Sequence, residues 1–171
     1  MKKYLVVIFV VFFLQSCEDN KTVYKPESSA RINSITVVVD NDSWNNTIGD
    51  KIRNLYADEY EGLPQIEERF TLKQMPYEAF SGFSRSSRNI IFINKTSNPE
   101  FFFEADKYAR PQIYLEIKGN SIKSLLDQID KSKKEAINKY TNGEIEENKR
   151  RLLKSPLKDT FAMDDFSINM K

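Results

Sequence analysis

Residues 31–40 read RINSITVVVD and residues 41–44 read NDSW, and the fold turns on this junction. The first run alternates, then passes into Val37-Val38-Val39. It is rich in β-branched residues and predicts a strand buried on at least one face. Asp40-Asn41-Asp42-Ser43 supplies turn and helix N-cap chemistry. Beyond it, Trp44, Ile48, Ile52, Leu55 and Tyr56 recur at helical spacing, and Gly49-Asp50 interrupts them only mildly. Gly62-Leu63-Pro64 closes this first strand–helix unit.

Further strands are predicted over Phe70–Met75, Asn89–Asn94 and Gln112–Lys118, with a short one at Phe101–Phe103. A polar loop, Ser84-Arg85-Ser86-Ser87-Arg88, precedes the second of these, and Asn98-Pro99 marks a turn. Gly119-Asn120-Ser121 opens the longest helix. Its apolar stripe is Ile122, Leu125, Leu126, Ile129, Ala136, Ile137 and Tyr140. Asp127 with Lys131, Asp130 with Lys134 and Glu135 with Lys139 stand at i,i+4 in the favourable order. Asn142-Gly143 predicts a break or kink. Thr141 and Glu144 fit a capping box that restarts the helix to about Leu153, and Pro156 stops it. The expected architecture is α+β: an antiparallel sheet with two main helices packed on it, in the order β-α-β-β-β-α, ending in a long kinked helix.

The N-terminus carries a different message. Lys2 and Lys3 precede an apolar run from Tyr4 to Leu14. That run suits the core of a signal peptide and falls well short of the ~20 residues that span a bilayer. Leu14-Gln15-Ser16-Cys17 follows and resembles a bacterial lipobox, although Gln15 departs from its commonest form. The resemblance implies cleavage between Ser16 and Cys17, a diacylglycerol on the Cys17 thiol and a fatty acyl group, such as palmitate, on its amine. Several acyl chains anchor stably where one does not. Residues 1–16 are thus expected to be a signal peptide, and 17–29 the lipidated cysteine with a flexible tether. Residues 30–156 are expected to be the folded domain. Phe166, Ile168 and Met170 alternate like a strand just starting, so 157–171 are expected to begin a further, truncated segment. Glu18-Asp19 after the cysteine resembles the acidic pair of surface-export signals, and generic linker polarity accounts for it equally well.

Composition removes whole classes of chemistry. The chain has no histidine, which excludes Ser-His-Asp and Cys-His catalysis within it. Cys17 is the only cysteine, so intrachain disulfides and zinc sites built on Cys or His are excluded. No cofactor is expected. Without Lys2 and Lys3, 24 of the 26 basic residues stand against 25 acidic ones. That balance exerts no general pull on nucleic acid, and none is expected as a partner.

Four side chains are candidate ligand-binding residues. Asp40 and Asp42 form Asp-x-Asp at a strand end, where carboxylates can hold a hard cation, but a helix N-cap is the simpler account. Arg85 and Arg88 flank serines and could grip a phosphate or a carboxylated sugar; a solvated loop is the simpler account. Phe80, Phe83, Phe101–Phe103 and Tyr108 could line a groove, although aromatic residues more often build a core.

ITVVVDNDSW, Gly49-Asp50-Lys51-Ile52-Arg53, Gly62-Leu63-Pro64-Gln65, Ser87-Arg88-Asn89-Ile90-Ile91 and Tyr108-Ala109-Arg110-Pro111-Gln112 together resemble a Bacteroidota lipoprotein family known as domain of unknown function 4837. The likeness runs from Arg31 to Pro156. Members of that family are typically longer, which fits the expected truncation. The resemblance implies no activity, cofactor or catalytic residue. The function expected is a non-enzymatic binding or assembly protein of the outer membrane. It would be held on either face by its lipid and would partner an envelope protein or a glycan. The alternative is a carboxylate-based hydrolase acting on envelope or extracellular glycans.

Overall fold

The computed structural model of the protein describes residues 24–59, 65 and 67–152. Ser16, Cys17, Gly62-Leu63-Pro64, Pro156 and the 166–170 pattern lie outside the described residues. Five strands make one sheet: β1 (Ser34–Val38), β2 (Thr71–Met75), β3 (Asn89–Lys95), β4 (Glu100–Ala105) and β5 (Ile113–Gly119). The helices are α1 (Asn41–Trp44), α2 (Thr47–Tyr56) and α3 (Ile122–Leu152). Two short 3-10 helices, Tyr77–Ala79 and Gly82–Ser86, lie between β2 and β3. The α+β class holds.

The sheet is mixed, which corrects the expected antiparallel one. Its order is β2-β1-β3-β5-β4. β1 runs parallel to both β2 and β3, and β3 runs parallel to β5. Only β4, on the outer edge of β5, is antiparallel. Parallel pairs need crossovers. Helices α1 and α2 supply one between β1 and β2, and residues 76–88 supply the next. A trace of this was in the residues. Val37-Val38-Val39 and Ile90-Ile91-Phe92-Ile93 are apolar on both faces, as central parallel strands are.

Strand parity sorts the core into two. On the front face, Ile35, Val37, Ile91, Ile93, Leu115 and Ile117 pack under the helices. Helix α2 contributes Ile48, Ile52 and Tyr56; α3 contributes Leu125, Ile129, Ala136 and Tyr140. On the back face, Val38, Ile90 and Tyr114 are covered by Tyr77 and Phe80 at the first 3-10 helix and by Tyr108 from a loop, with no α-helix over them. Each fully buried aliphatic side chain contributes roughly 1.5–3 kcal/mol.

The expected single helix after Asp40 is two. α1 ends at Trp44, and α2 restarts with Asn46 as its N-cap. Gly49 sits inside α2, and its missing side chain lets the helix start pack on the Trp44 carbonyl. The long helix is α3, and it runs unbroken through Asn142-Gly143. The expected break fails because Gly143 serves closeness and not termination. A Cβ there would stand 2.8 Å from the Ile113 Cδ1. Asp130 pairs with Lys51 on α2, at 2.6 Å, in place of the expected Lys134.

The expected tether also changes. The Arg110 N–H donates to the Pro26 carbonyl at 2.8 Å, and the Ser28 N–H donates to the Arg110 carbonyl at 3.0 Å. The Ser29 N–H donates to the Ser86 carbonyl at 2.8 Å. Lys25 Nζ donates to the Asp106 carbonyl. Residues 26–29 are therefore a strap pinned across the N-terminal ends of β3 and β5.

Gly49→Ala should destabilise the protein. Overpacking of this kind costs about 1–3 kcal/mol, more than the ~1 kcal/mol that alanine returns in helix propensity. Urea unfolding checks it: a midpoint equal to or above that of the parent would show that the Trp44–Gly49 contact is not tight.

Candidate functional site

The four residues singled out from the sequence part company in three dimensions. Asp40 caps α1: its carboxylate accepts from the Ser43 N–H at 2.8 Å and from Ser43 Oγ at 2.9 Å. Lys95 Nζ lies 2.9 Å from the same carboxylate. Partial burial works to raise the Asp40 pKa, but hydrogen bonds from Ser43 and Lys95 outweigh it and hold the carboxyl below its ordinary range. Asp42 is exposed in the first turn of the same helix. The N-cap account of Asp-x-Asp therefore describes the geometry. Among the described residues no group of three or more His, Cys, Asp or Glu side chains is arranged to hold a metal ion.

Arg85 and Arg88 point in opposite senses. Arg85 is exposed; its Nε donates to the Phe80 carbonyl at 3.2 Å. Its guanidinium stands 5.6 Å from the Phe80 ring centre and 5.2 Å from that of Tyr108. Arg88 is only 1% exposed. Its Nε donates to Glu144 Oε1 at 2.8 Å, and its Nη2 to Glu144 Oε2 at 3.2 Å and to the Arg31 carbonyl at 3.2 Å. Glu147 Oε1 lies 3.6 Å from Nη1. Neither a solvated loop residue nor an open ligand grip describes Arg88, because its donors are turned inward onto two glutamates. Glu144 also accepts from Asn89 Nδ2 at 2.6 Å and from the Asn33 N–H at 2.8 Å. It is thus the hub of a buried polar cluster and not the start of a second helix.

The sequence offers Glu144 only a capping role and singles out no role for Glu147. The signal for them was position. They continue the α3 stripe at four and seven residues beyond Tyr140, so two carboxylates fall on a face that is otherwise apolar. A carboxylate there requires a buried cation.

Two grooves flank β2. The back groove has a volume of about 720 Å³ and is lined by Arg31, Thr36, Lys73, Met75, Phe83 and Ser87 among others. Phe83 is 82% exposed at its rim, the one candidate aromatic that is fully at the surface, while half-buried Phe102 lies under the Lys107 and Lys118 ammonium groups. Phe80 and Tyr108 stack edge-on at 5.8 Å within the back-face cluster, and Phe101 and Phe103 pack on the front core. The front groove, about 630 Å³, is lined by Trp44, Arg53, Asp58, Glu59, Glu68 and Leu72 among others. The structure therefore brings the serine-rich loop, through Ser84 and Ser87, to a groove that neither arginine of that loop lines.

Hydrogen bonds from Arg150 lower the Glu147 pKa, burial opposes them, and Arg151 and Arg88 add to the lowering; the carboxyl is held at about 2. A carboxyl lowered on folding stabilises the native state above its unfolded pKa, near 4.5, and that contribution is lost as pH falls toward about 2. Glu147→Gln should therefore flatten the fall of urea stability between those pH values, and an unchanged slope would contradict the pairing. Separately, Arg88→Met leaves Glu144 buried without its cation. It should cost about 3–5 kcal/mol by urea denaturation, and a loss under ~1 kcal/mol would refute that burial.

Compared with known proteins, residues 28–153 match a family model described as Domain of unknown function (DUF8532). No curated protein and no solved structure matches the chain. The expectation of a domain family without assigned activity over most of the chain holds at that level.

Proposed function

From the premise that the chain belongs to the DUF8532 family, we propose that it is a lipid-anchored envelope protein of the outer membrane that binds a partner without chemically altering it. The observation that carries binding is the back groove. It is an open cleft of about 720 Å³ with serine and threonine hydroxyls, two cations and the exposed ring of Phe83. Aromatic faces and hydroxyls at the rim of a cleft are the equipment of recognition. The chain's lack of histidine supports the same reading.

Anchoring is supported by the N-terminal residues. Lys2, Lys3, the Tyr4–Leu14 run and Leu14-Gln15-Ser16-Cys17 form the order that a lipoprotein signal requires. No described helix is long and apolar enough to cross a membrane. An outer-membrane address is what a resemblance to Bacteroidota lipoproteins of the 4837 family would imply, whereas the family model matched over residues 28–153 is a different one, DUF8532. The partner class is an envelope protein or glycan, and the face of the membrane follows whichever partner is found.

A second reading, a carboxylate-based hydrolase acting on glycans, draws on the front groove, which Asp58, Glu59 and Glu68 help to line. Release of reducing sugar from envelope glycan by the purified chain, abolished in Glu68→Gln, would replace the binding reading with this one.

Cys17→Ala should leave the precursor uncleaved or free the chain from the membrane fraction, and should abolish incorporation of labelled palmitate. Normal processing and unchanged fractionation would overturn the anchor. A crosslinked pull-down from detergent-solubilised envelopes should enrich a specific protein or glycan over a mock sample. Recovery of none would overturn the binding role.

A further inference from the structure

β2 ends the sheet, and among the described residues no strand pairs with its outer side. Its ladder to β1 fixes which backbone groups are committed. The Thr71 N–H donates to the Asn33 carbonyl at 2.8 Å, and the Met75 carbonyl accepts from the Val39 N–H at 3.0 Å. In a parallel ladder a residue's N–H and C=O point to the same side, so Thr71, Lys73 and Met75 face β1. Leu72 and Gln74 turn their N–H and C=O groups outward. An incoming strand would find two donors and two acceptors there at the regular spacing of a sheet.

The two grooves lie on opposite faces of this same edge. Thr71 and Leu72 line both. Side chains of an added strand would therefore alternate between them. The grooves carry opposite charge. The front one presents the exposed carboxylates of Asp58, Glu59 and Glu68, with Arg53 already paired to Asp50 at 2.8 Å. The back one presents Arg31 and Lys73 and no carboxylate. Among the described residues, Lys73, Asp58, Glu59 and Glu68 make no ion pair with one another or with other side chains. A second copy of β2 would set Lys73 against Lys73 and carboxylate against carboxylate, which disfavours self-pairing.

The geometry points to β2 as a docking edge for an extended peptide segment of a partner protein, with basic side chains on one face of that segment and acidic ones on the other. The inference rests on the binding reading and deepens it, choosing a protein partner over a glycan. Main-chain hydrogen bonds to Leu72 and Gln74 hold the segment, and charge in the two grooves selects it.

A blocked octapeptide of strictly alternating glutamate and lysine presents one charge on each face when extended. An octapeptide of the same composition in repeats of two glutamates then two lysines mixes both charges on both faces. With the detergent-purified full chain, the alternating peptide should bind saturably and slow amide exchange at Leu72 and Gln74 at least tenfold. The paired-repeat peptide should bind at least tenfold more weakly. Gln74→Pro removes one outward N–H at an edge position that tolerates proline, and should abolish the protection. Lys73→Glu and Glu68→Lys alter exposed side chains only, and each should weaken binding severalfold if the proline variant does not fold. Equal binding of the two peptides, or no slowing at Leu72 and Gln74, overturns the proposal. So does exchange at those amides that is already slow in the dilute chain alone, since the edge is then filled by a second copy or by the chain itself. If the envelope pull-down recovers a partner equally well with folded Gln74→Pro, the docking edge is overturned and the binding role stands.

Discussion

Arg88 ties together three parts of the described chain that lie far apart in sequence. Its guanidinium lies at the start of β3, bonds Glu144 and faces Glu147 on α3, and bonds the Arg31 carbonyl in the approach to β1. Glu144 returns a bond to the Asn33 N–H, and Asn89 reaches the Ser34 carbonyl. The helix, the central strands and the N-terminal segment are thus coupled through one arginine and one glutamate. Such a cluster is expensive to bury, and its worth lies in geometry. An apolar plug would fill the volume, but it would not fix the rotation of α3 about its axis. Two carboxylates aimed at one guanidinium do so, because any other rotation leaves a charge in the core without a partner. Arg150 and Arg151 close the outer side of Glu147 at 2.8 and 2.6 Å, so the buried charge grades outward into solvent.

Much of the fold was legible because its elements are locally consistent. The Val37–Val39 run, the caps at Asp40 and Ser121 and the α3 stripe each name their own structure. What alternation could not supply was strand direction. A strand with one buried face looks alike in parallel and antiparallel company, and only the doubly apolar β1 and β3 carried the parallel signature. The smooth run of α3 through Asn142-Gly143 was hidden for another reason. A glycine in a helix reads as weakness until the strand that needs the space is known, and here that strand lies some thirty residues earlier in the chain, at Ile113.

The site was less legible. Asp40 behaved as its local spacing said. Arg85 and Arg88 looked alike in the sequence, with a serine pair between them, yet one stacks on rings at the surface and the other is the most buried cation described. Their separation depends on Glu144, which lies far along the chain. The two grooves were invisible for the same reason. Each is walled by segments distant in sequence, and their common boundary, β2, reads as an ordinary short strand.

The strap at residues 26–29 has a mechanical meaning. A pull arriving from the N-terminal side meets parallel bridges first, Glu27 to Arg110 and Ser29 to Ser87, and then β1, which is bonded on both flanks. In that arrangement the bonds are loaded side by side and must slide together; they cannot open one after another like a zipper. A domain held at this end resists extraction along its strongest axis. Were Cys17 the anchor, as proposed, its eight-residue separation from Lys25 would allow a reach of at most ~29 Å with the strap docked. So short a reach would keep the domain close to whatever holds that cysteine.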